Sequence, residues 1–246
     1  MKRTLDIAVA LAGLVALLPL LVVLSIAIYL QDYHSPFYIA NRVGRGERTF
    51  RMVKFRSMVI RADTSGVDST AGNDPRITSL GRFIRRFKLD EIPQLWNVLR
   101  GEMSLVGPRP NVERETALYT PDEKQLLTVR PGITDLASIV FADEGEILEG
   151  SDDPDLRYNQ VIRPWKSRLG LLYVNAHPSI ARDLRVIHLT VLGAMNRASA
   201  LVAVHAMASG LGATPELLEI VKRERPLPAG PPPGATQIVR SRAAVA

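Results

Sequence analysis

From Ile7 to Leu30 the chain carries no charged side chain, reading IAVALAGLVALLPLLVVLSIAIYL. As one helix this run would reach about 36 Å at 1.5 Å per residue, which exceeds a hydrocarbon core of about 30 Å. It is long for a signal peptide and has no small-x-small cleavage pattern before Gln31. Lys2 and Arg3 precede it, while Arg42, Arg45, Arg48, Arg51, Lys54 and Arg56 follow it closely. Positive flanks favour the cytoplasmic side of a bilayer, so both ends prefer the same side. Pro19, mid-run, removes one helical hydrogen bond and kinks helices. A kinked helix that enters and leaves by one face satisfies the charges. A spanning helix with a tolerated proline remains the alternative.

The pattern then changes period. Residues 37–58, FYIANRVGRGERTFRMVKFRSM, read as two strands around a Gly44-Arg45-Gly46 turn. Alternation places Lys54 and Arg56 on one face, with Val53 and Phe55 on the other. Residues 61–76 are polar and read as a loop. TSLGRFIRRFKL follows, with Leu80, Phe83, Ile84 and Phe87 at helical spacing among Arg82, Arg85, Arg86 and Lys88. That is an amphipathic cationic helix suited to an anionic surface or site.

Asp90 then reads as the N-cap of a helix through about Arg100, with Pro93 in its first turn and Gly101 past its end. Glu91 would favour the positive end of the helix dipole. The same geometry suits chemistry. Helix N-termini beside guanidiniums bind phosphate, and paired carboxylates can hold a divalent cation and supply a nucleophile. Arg109, between Pro108 and Pro110, sits on a stiff backbone and loses little entropy on clamping a phosphate. VRPGIT at 129–134 repeats an Arg-Pro-Gly turn around Arg130. Residues 143–155, DEGEILEGSDDPD, read as a solvated acidic loop. Amphipathic helices return from Leu156 to Leu192, and the apolar stretch 189–213 is too interrupted for a span.

Composition narrows the classes. A net charge of +6 over 246 residues points to polyanionic partners. The 46% hydrophobic content supports a core, and the absence of cysteine excludes disulfides and thiolate metal sites. Aromatic residues make up only 6%, and no stacking platform for nucleic acid is evident.

In order, the basic-flanked apolar segment, SPFYIANRVG, MVKFRSM, DPRITSLGRFIRR, KLDEIPQLWNVLRGEMSLVGPRP and VRPGIT closely resemble the monotopic bacterial phosphoglycosyl transferases. The resemblance covers residue 1 to about 190. It implies an α+β, predominantly helical fold with a re-entrant N-terminal membrane helix, a small β-hairpin and amphipathic surface helices. It implies an anchoring helix over 1–36 and a catalytic domain over 37–195. A further helical segment over 196–225 and a disordered tail over 226–246 complete the expected division. The family transfers a sugar-1-phosphate from a UDP-sugar to a polyprenol phosphate such as undecaprenyl phosphate, releasing UMP, in the first membrane step of glycan assembly. By that resemblance Asp90 is the nucleophile of a phosphosugar–aspartyl intermediate, and Glu91 helps Asp90 hold Mg²⁺. Arg109, Arg85, Lys54, Arg56 and Arg130 are the expected substrate cations, and Pro19 marks the membrane kink. The expected setting is the bacterial inner membrane with the catalytic domain facing the cytoplasm. UDP-sugar, polyprenol phosphate and membrane lipid are the expected partners, nucleic acid is not, and a homodimer is left open. The family usually carries Ser-Pro at the kink, where this chain has Leu18-Pro19. It often reads VRPGITGWAQV where this chain has VRPGITDLASIV. The rival reading is a non-catalytic, basic, membrane-tethered scaffold, which leaves the Asp90-Glu91 pair and Arg109 without a role.

Overall fold

The apolar run forms two helices. α1 (Lys2–Ala16) stops at Leu17, and α2 (Leu18–Asp32) leaves it at 62°. Pro19, in the first turn of α2, has no N–H to offer the Val15 carbonyl, its partner four residues back, so the ladder breaks there. In the computed structural model, which describes residues 1–176 and 179–241, no single helix is long and apolar enough to cross a membrane. The bent pair together is, by length and composition.

Both ends of the pair are tied to the same body. At the start, Lys2 Nζ pairs with Asp183 at 2.6 Å and donates to the Val106 carbonyl. Arg3 donates to the Val98 and Leu99 carbonyls. The buried Asp6 carboxylate accepts from the Ser104 hydroxyl at 2.9 Å and the Leu105 N–H at 3.1 Å. At the far end, Asp32 accepts both arms of the Arg56 guanidinium, at 2.6 and 2.7 Å. Arg56 was expected beside Lys54 as a substrate cation. It lies one residue past the strand, its Nε donates to the Ser35 carbonyl, and its fork is spent on Asp32. Its place is a clamp between anchor and body.

Strands β1 (Phe37–Val43) and β2 (Thr49–Phe55) form the antiparallel hairpin, with Tyr38 opposite Lys54 and Ala40 opposite Met52. The turn takes Gly46 to φ 69°, where a side chain would be strained. Helix α3 (Ser79–Arg86) starts where the Thr78 side chain accepts the Gly81 N–H. α3 meets α2 and β2 in a small apolar cluster of Leu24, Ile28, Phe55 and Ile84. Gly81 is needed at that crossing, because a Cβ there would stand 1.9 Å from the Ser57 carbonyl oxygen. Gly81→Ala is therefore expected to destabilise by about 2–3 kcal/mol through forced backbone shifts, lowering the melting temperature by several degrees.

After α3 the chain reverses at Lys88, which adopts a left-handed conformation (φ 55°), into a tight turn over Leu89–Glu91. Helix α4 (Gln94–Arg100) begins beyond it, with Pro93 rather than Asp90 at the N-cap position. The expected stop is present, with Gly101 at φ 82°. β3 (Ser104–Val106) pairs in parallel with β4 (Gly132–Thr134). Short helices α5 (Glu113–Thr116) and α6 (Pro121–Lys124) lie between them, and α7 (Leu136–Val140), α8 (Glu144–Leu148) and α9 (Pro154–Arg157) follow. Then come α10 (Arg163–Asn175), α11 (Ile180–Met195), α12 (Arg197–Gly210) and α13 (Pro215–Lys222).

The main core is built around Val140, Trp165, Leu169 and Val186, and it takes in Ala200, Val204, Leu217 and Ile220 from α12 and α13. The segment beyond residue 195 thus shares the core of the preceding domain. Within the expected tail, residues 228–239 make contacts with the domain. There the Pro228 carbonyl accepts from Trp165 Nε1, Pro231 from Arg168 and Val239 from Gln160, while Gly230 N–H donates to the Gln160 carbonyl. A proline-rich chain is already extended, so docking it orders few torsions. Composition alone could not reveal that α10 presents donors to it. The last five residues of the tail lie outside the described residues.

Candidate active site

Three segments meet at Glu91. The turn after α3 presents it, β2 brings Lys54, and the Gly107-Pro108-Arg109-Pro110 stretch after β3 brings Arg109. Arg109 grips the Glu91 carboxylate with both terminal nitrogens, Nη1 at 3.2 Å from Oε2 and Nη2 on Oε1. Lys54 Nζ stands 3.6 Å from Oε1. Burial alone would raise the Glu91 pKa; Arg109 and Lys54 more than offset it and hold the group well below the usual carboxylate range. Burial together with the Arg109 charge pushes Lys54 down to about 8. Arg109 is raised by Glu91.

Asp90 is different. It is 7% exposed, and among the described residues its side chain makes no hydrogen bond or ion pair. Burial raises its pKa, the Lys54 charge opposes that, and the Glu91 charge adds to it. Arg85 and Arg109 stabilise its ionised form from further off. The pair therefore holds one neutralised carboxylate and one poised, unengaged carboxylate in a field of cations. Such division of labour between adjacent acids is how one of them stays reactive.

Of the residues singled out from the sequence, the structure brings together Asp90, Glu91, Lys54 and Arg109, with Arg85 within electrostatic reach. Arg56 is at the anchor clamp. Arg130 is elsewhere too, its Nε donating to the Gly101 carbonyl at 2.9 Å, at the opposite end of α4 from the dyad. Three charged residues were missed. Arg42 lies close enough to Arg109 for their charges to repel. Two-residue alternation puts it on the β1 face of Tyr38, which is opposite Lys54, and that periodicity could have found it. Glu144, the second residue of the supposedly solvated acidic loop, pairs with Lys166 and feels the Arg109 charge. No local pattern predicts that contact, because Lys166 is on α10.

The order of these segments is that of known proteins. A sequence profile described as bacterial sugar transferase matches residues 1–197. The chain belongs to the bacterial sugar transferase family. A UDP-galactose-lipid carrier transferase from Erwinia amylovora is 46% identical over 55% of this chain and 31% of its own length. An undecaprenyl-phosphate glucose phosphotransferase from Komagataeibacter xylinus is 38% identical over 77% of this chain and 35% of its own. An exopolysaccharide production protein, PSS, from Rhizobium leguminosarum is 36% identical over 80% of this chain and 96% of its own length. This bacterial sugar transferase thus spans about a third of the first two relatives and nearly all of the last.

The family match includes every residue of the dyad's surroundings and stops near the start of α12. A divalent cation is compatible with the donors. Among the described residues no cluster of three or more His, Asp or Glu forms a metal cage. Mg²⁺, however, is commonly held by one or two carboxylates together with waters and substrate phosphates. The free Asp90 carboxylate fits that role directly. Glu91 fits it only when Arg109 releases an oxygen.

Proposed function

We propose that the protein transfers a sugar-1-phosphate from a UDP-sugar to a membrane polyprenol phosphate such as undecaprenyl phosphate, releasing UMP, as an early step of polysaccharide assembly. The observation that carries this reading is the buried, unengaged Asp90 carboxylate beside a Glu91 already neutralised by Arg109 and Lys54. In the first step an Asp90 oxygen attacks the phosphorus that bears the sugar. The P–O–P anhydride bond breaks, and UMP leaves with the bonding pair. In the second, an oxygen of the polyprenol phosphate attacks the same phosphorus and the acyl-phosphate bond breaks. The diphosphate-linked sugar forms and the Asp90 carboxylate is regenerated. Two displacements through Asp90 spare two anionic substrates from meeting in one transition state.

Lys54, Arg85 and Arg109 offset the phosphate charge in a site where little water screens it. Arg109 has two jobs that exclude each other: it holds Glu91 in the free protein, and its fork is what a donor phosphate would claim. Mg²⁺ held by Asp90 and the freed Glu91 would supply charge neutralisation at the phosphates. Exchange of Arg109 from Glu91 to substrate couples donor arrival to the readiness of the dyad.

The apolar helix pair supports a membrane location at the bacterial inner membrane, with the body on the cytoplasmic face. Val22, Val23 and Ile26 of α2, Phe83 of α3, Phe87 just past its end and Trp96 of α4 are exposed and apolar, as a lipid-facing surface requires. Clamps at Lys2 and at Asp32 on one body favour a re-entrant pair. The chain has no cysteine, so Thr4→Cys and His34→Cys can be labelled one at a time. Both are expected to react with a membrane-impermeant maleimide from the cytoplasmic side alone; reaction from opposite sides would establish a span.

The function is tested by UMP release from the purified, lipid-embedded protein with Mg²⁺, undecaprenyl phosphate and a panel of UDP-sugars. Release that requires the lipid acceptor and favours one donor is expected. No release with any donor would return the scaffold reading to first place.

A further inference from the structure

A cation-lined cavity lies at the opposite end of α4 from the dyad. It has a volume of about 780 Å³ and is walled by the hairpin turn and the C-terminal end of α4, with Arg45, Arg48, Arg51, Arg100 and Arg130 around it and Glu102 as its one acid. Lys54 marks the dyad end of β2. The turn lies five residues away along that strand, about 16 Å. The two ends of α4, one beside the dyad and one at the cavity, are about 10 Å apart.

We propose that this cavity is a second anion site, taking a phosphate-bearing ligand, and that an anionic lipid headgroup is the source its position favours. Several arginines elsewhere in the fold are matched by a carboxylate: Arg56 by Asp32, Arg163 by Glu123 and Arg223 by Asp143. Here the balance fails. Glu102 is taken by Arg100 at 3.2 Å and by the Asn97 amide. Among the described residues Arg45, Arg48 and Arg51 have no ion pair, and Arg130 has only the Gly101 carbonyl. Burial, and then the charges of Arg45 and Arg3, make a proton on Arg130 less favourable than usual. Four guanidiniums line one space, three of them on exposed residues, and concentrate positive charge there that a multiply charged phosphate with its fork-matching oxygens would neutralise.

Position favours a lipid source. Arg3 acts on Arg130 and donates to the Val98 and Leu99 carbonyls at the end of α4. Ile7, the first strongly exposed apolar residue of α1, comes four residues later, about 6 Å along the helix. The cavity therefore sits level with the start of the apolar surface, where lipid phosphates lie if the helix pair is inserted. This choice of source rests on the membrane reading above; the site itself does not.

The test is calorimetric titration of the full chain in a neutral detergent with short-chain phosphatidylglycerol, short-chain phosphatidylcholine and pyrophosphate. Each is repeated on the R45Q/R48Q/R51Q variant, whose three positions are exposed and whose fold is checked by circular dichroism. Phosphatidylglycerol is expected to bind and phosphatidylcholine not to. The triple variant is expected to lose about a hundredfold in affinity, roughly fivefold per arginine. Pyrophosphate binding lost in the variant, without lipid binding, would keep the site and make its ligand a free phosphate. Absence of binding by both anions, or binding of both that survives unchanged in the variant, would overturn the proposal. Binding is read rather than turnover, so a protein inactive with every UDP-sugar would leave this test intact.

Discussion

Replacing Asp90 with asparagine is expected to remove UMP release while leaving the protein at least as stable as before. An amide cannot form the acyl phosphate, so the loss should reach about 10⁴-fold or more, equivalent to over about 5 kcal/mol of barrier. The stability half of the expectation comes from electrostatics. Burial raises the Asp90 pKa, and the neighbouring Glu91 charge adds to that while Lys54 opposes it. An acid whose pKa rises on folding binds its proton more readily in the native state. Its ionised form therefore costs folding free energy in full above the native pKa, and that cost fades as pH falls through the native pKa and is gone below the unfolded value. Asparagine removes the cost at neutral pH. Stability spent on an active residue is the usual mark of a functional site. Melting temperature and UMP release, measured on the same preparations, decide the matter. Activity retained in the variant would exclude Asp90 as nucleophile, and a melting temperature that falls with the activity would make it a structural residue.

Legibility from the sequence followed the range of the contacts. The hairpin was readable because alternation and a glycine turn are local, and the break in the apolar run was readable because proline acts on its own turn. Gly101 as a helix stop was readable for the same reason. The Asp90 cap was misplaced by a local event of another kind: Lys88 turns left-handed, and the chain spends three residues in a tight turn before Pro93 opens α4. The site was half legible. Motif resemblance pointed to Asp90, Glu91, Arg109, Arg85 and Lys54, and strand alternation alone left Lys54 open to a solvated face. Alternation set Arg56 on the face of Lys54, and it could not anticipate that Asp32, at the far end of α2, would take that guanidinium. Glu144 and the docked tail were missed for one reason: their partners, Lys166, Trp165 and Arg168, come from α10 and meet them only in the folded core.

Removing Arg109 is expected to damage two properties at once, and a second substitution separates them. Arg109→Ala leaves the buried Glu91 carboxylate with Lys54 alone at 3.6 Å. Breaking one side of a buried pair costs about 3–5 kcal/mol; the remaining lysine and the partial exposure of Arg109 reduce this to about 2 kcal/mol. Activity should fall as well, since the fork that matches a phosphate is gone. Arg109→Lys keeps the charge and loses the fork, so it is expected to keep most of the stability and little of the activity. In the Glu91→Gln/Arg109→Ala double variant the orphaned carboxylate is removed, and most of the lost melting temperature should return. The coupling between the two positions is read from the full double-mutant cycle. Turnover should not return, because neither the phosphate clamp nor the second carboxylate is restored. Recovery of both properties together would mean that Arg109 serves only to neutralise Glu91. Recovery of stability alone assigns it a task on the substrate, and the prolines on either side then have a reason: an arginine that must leave one anion for another returns most reliably to a backbone that does not move.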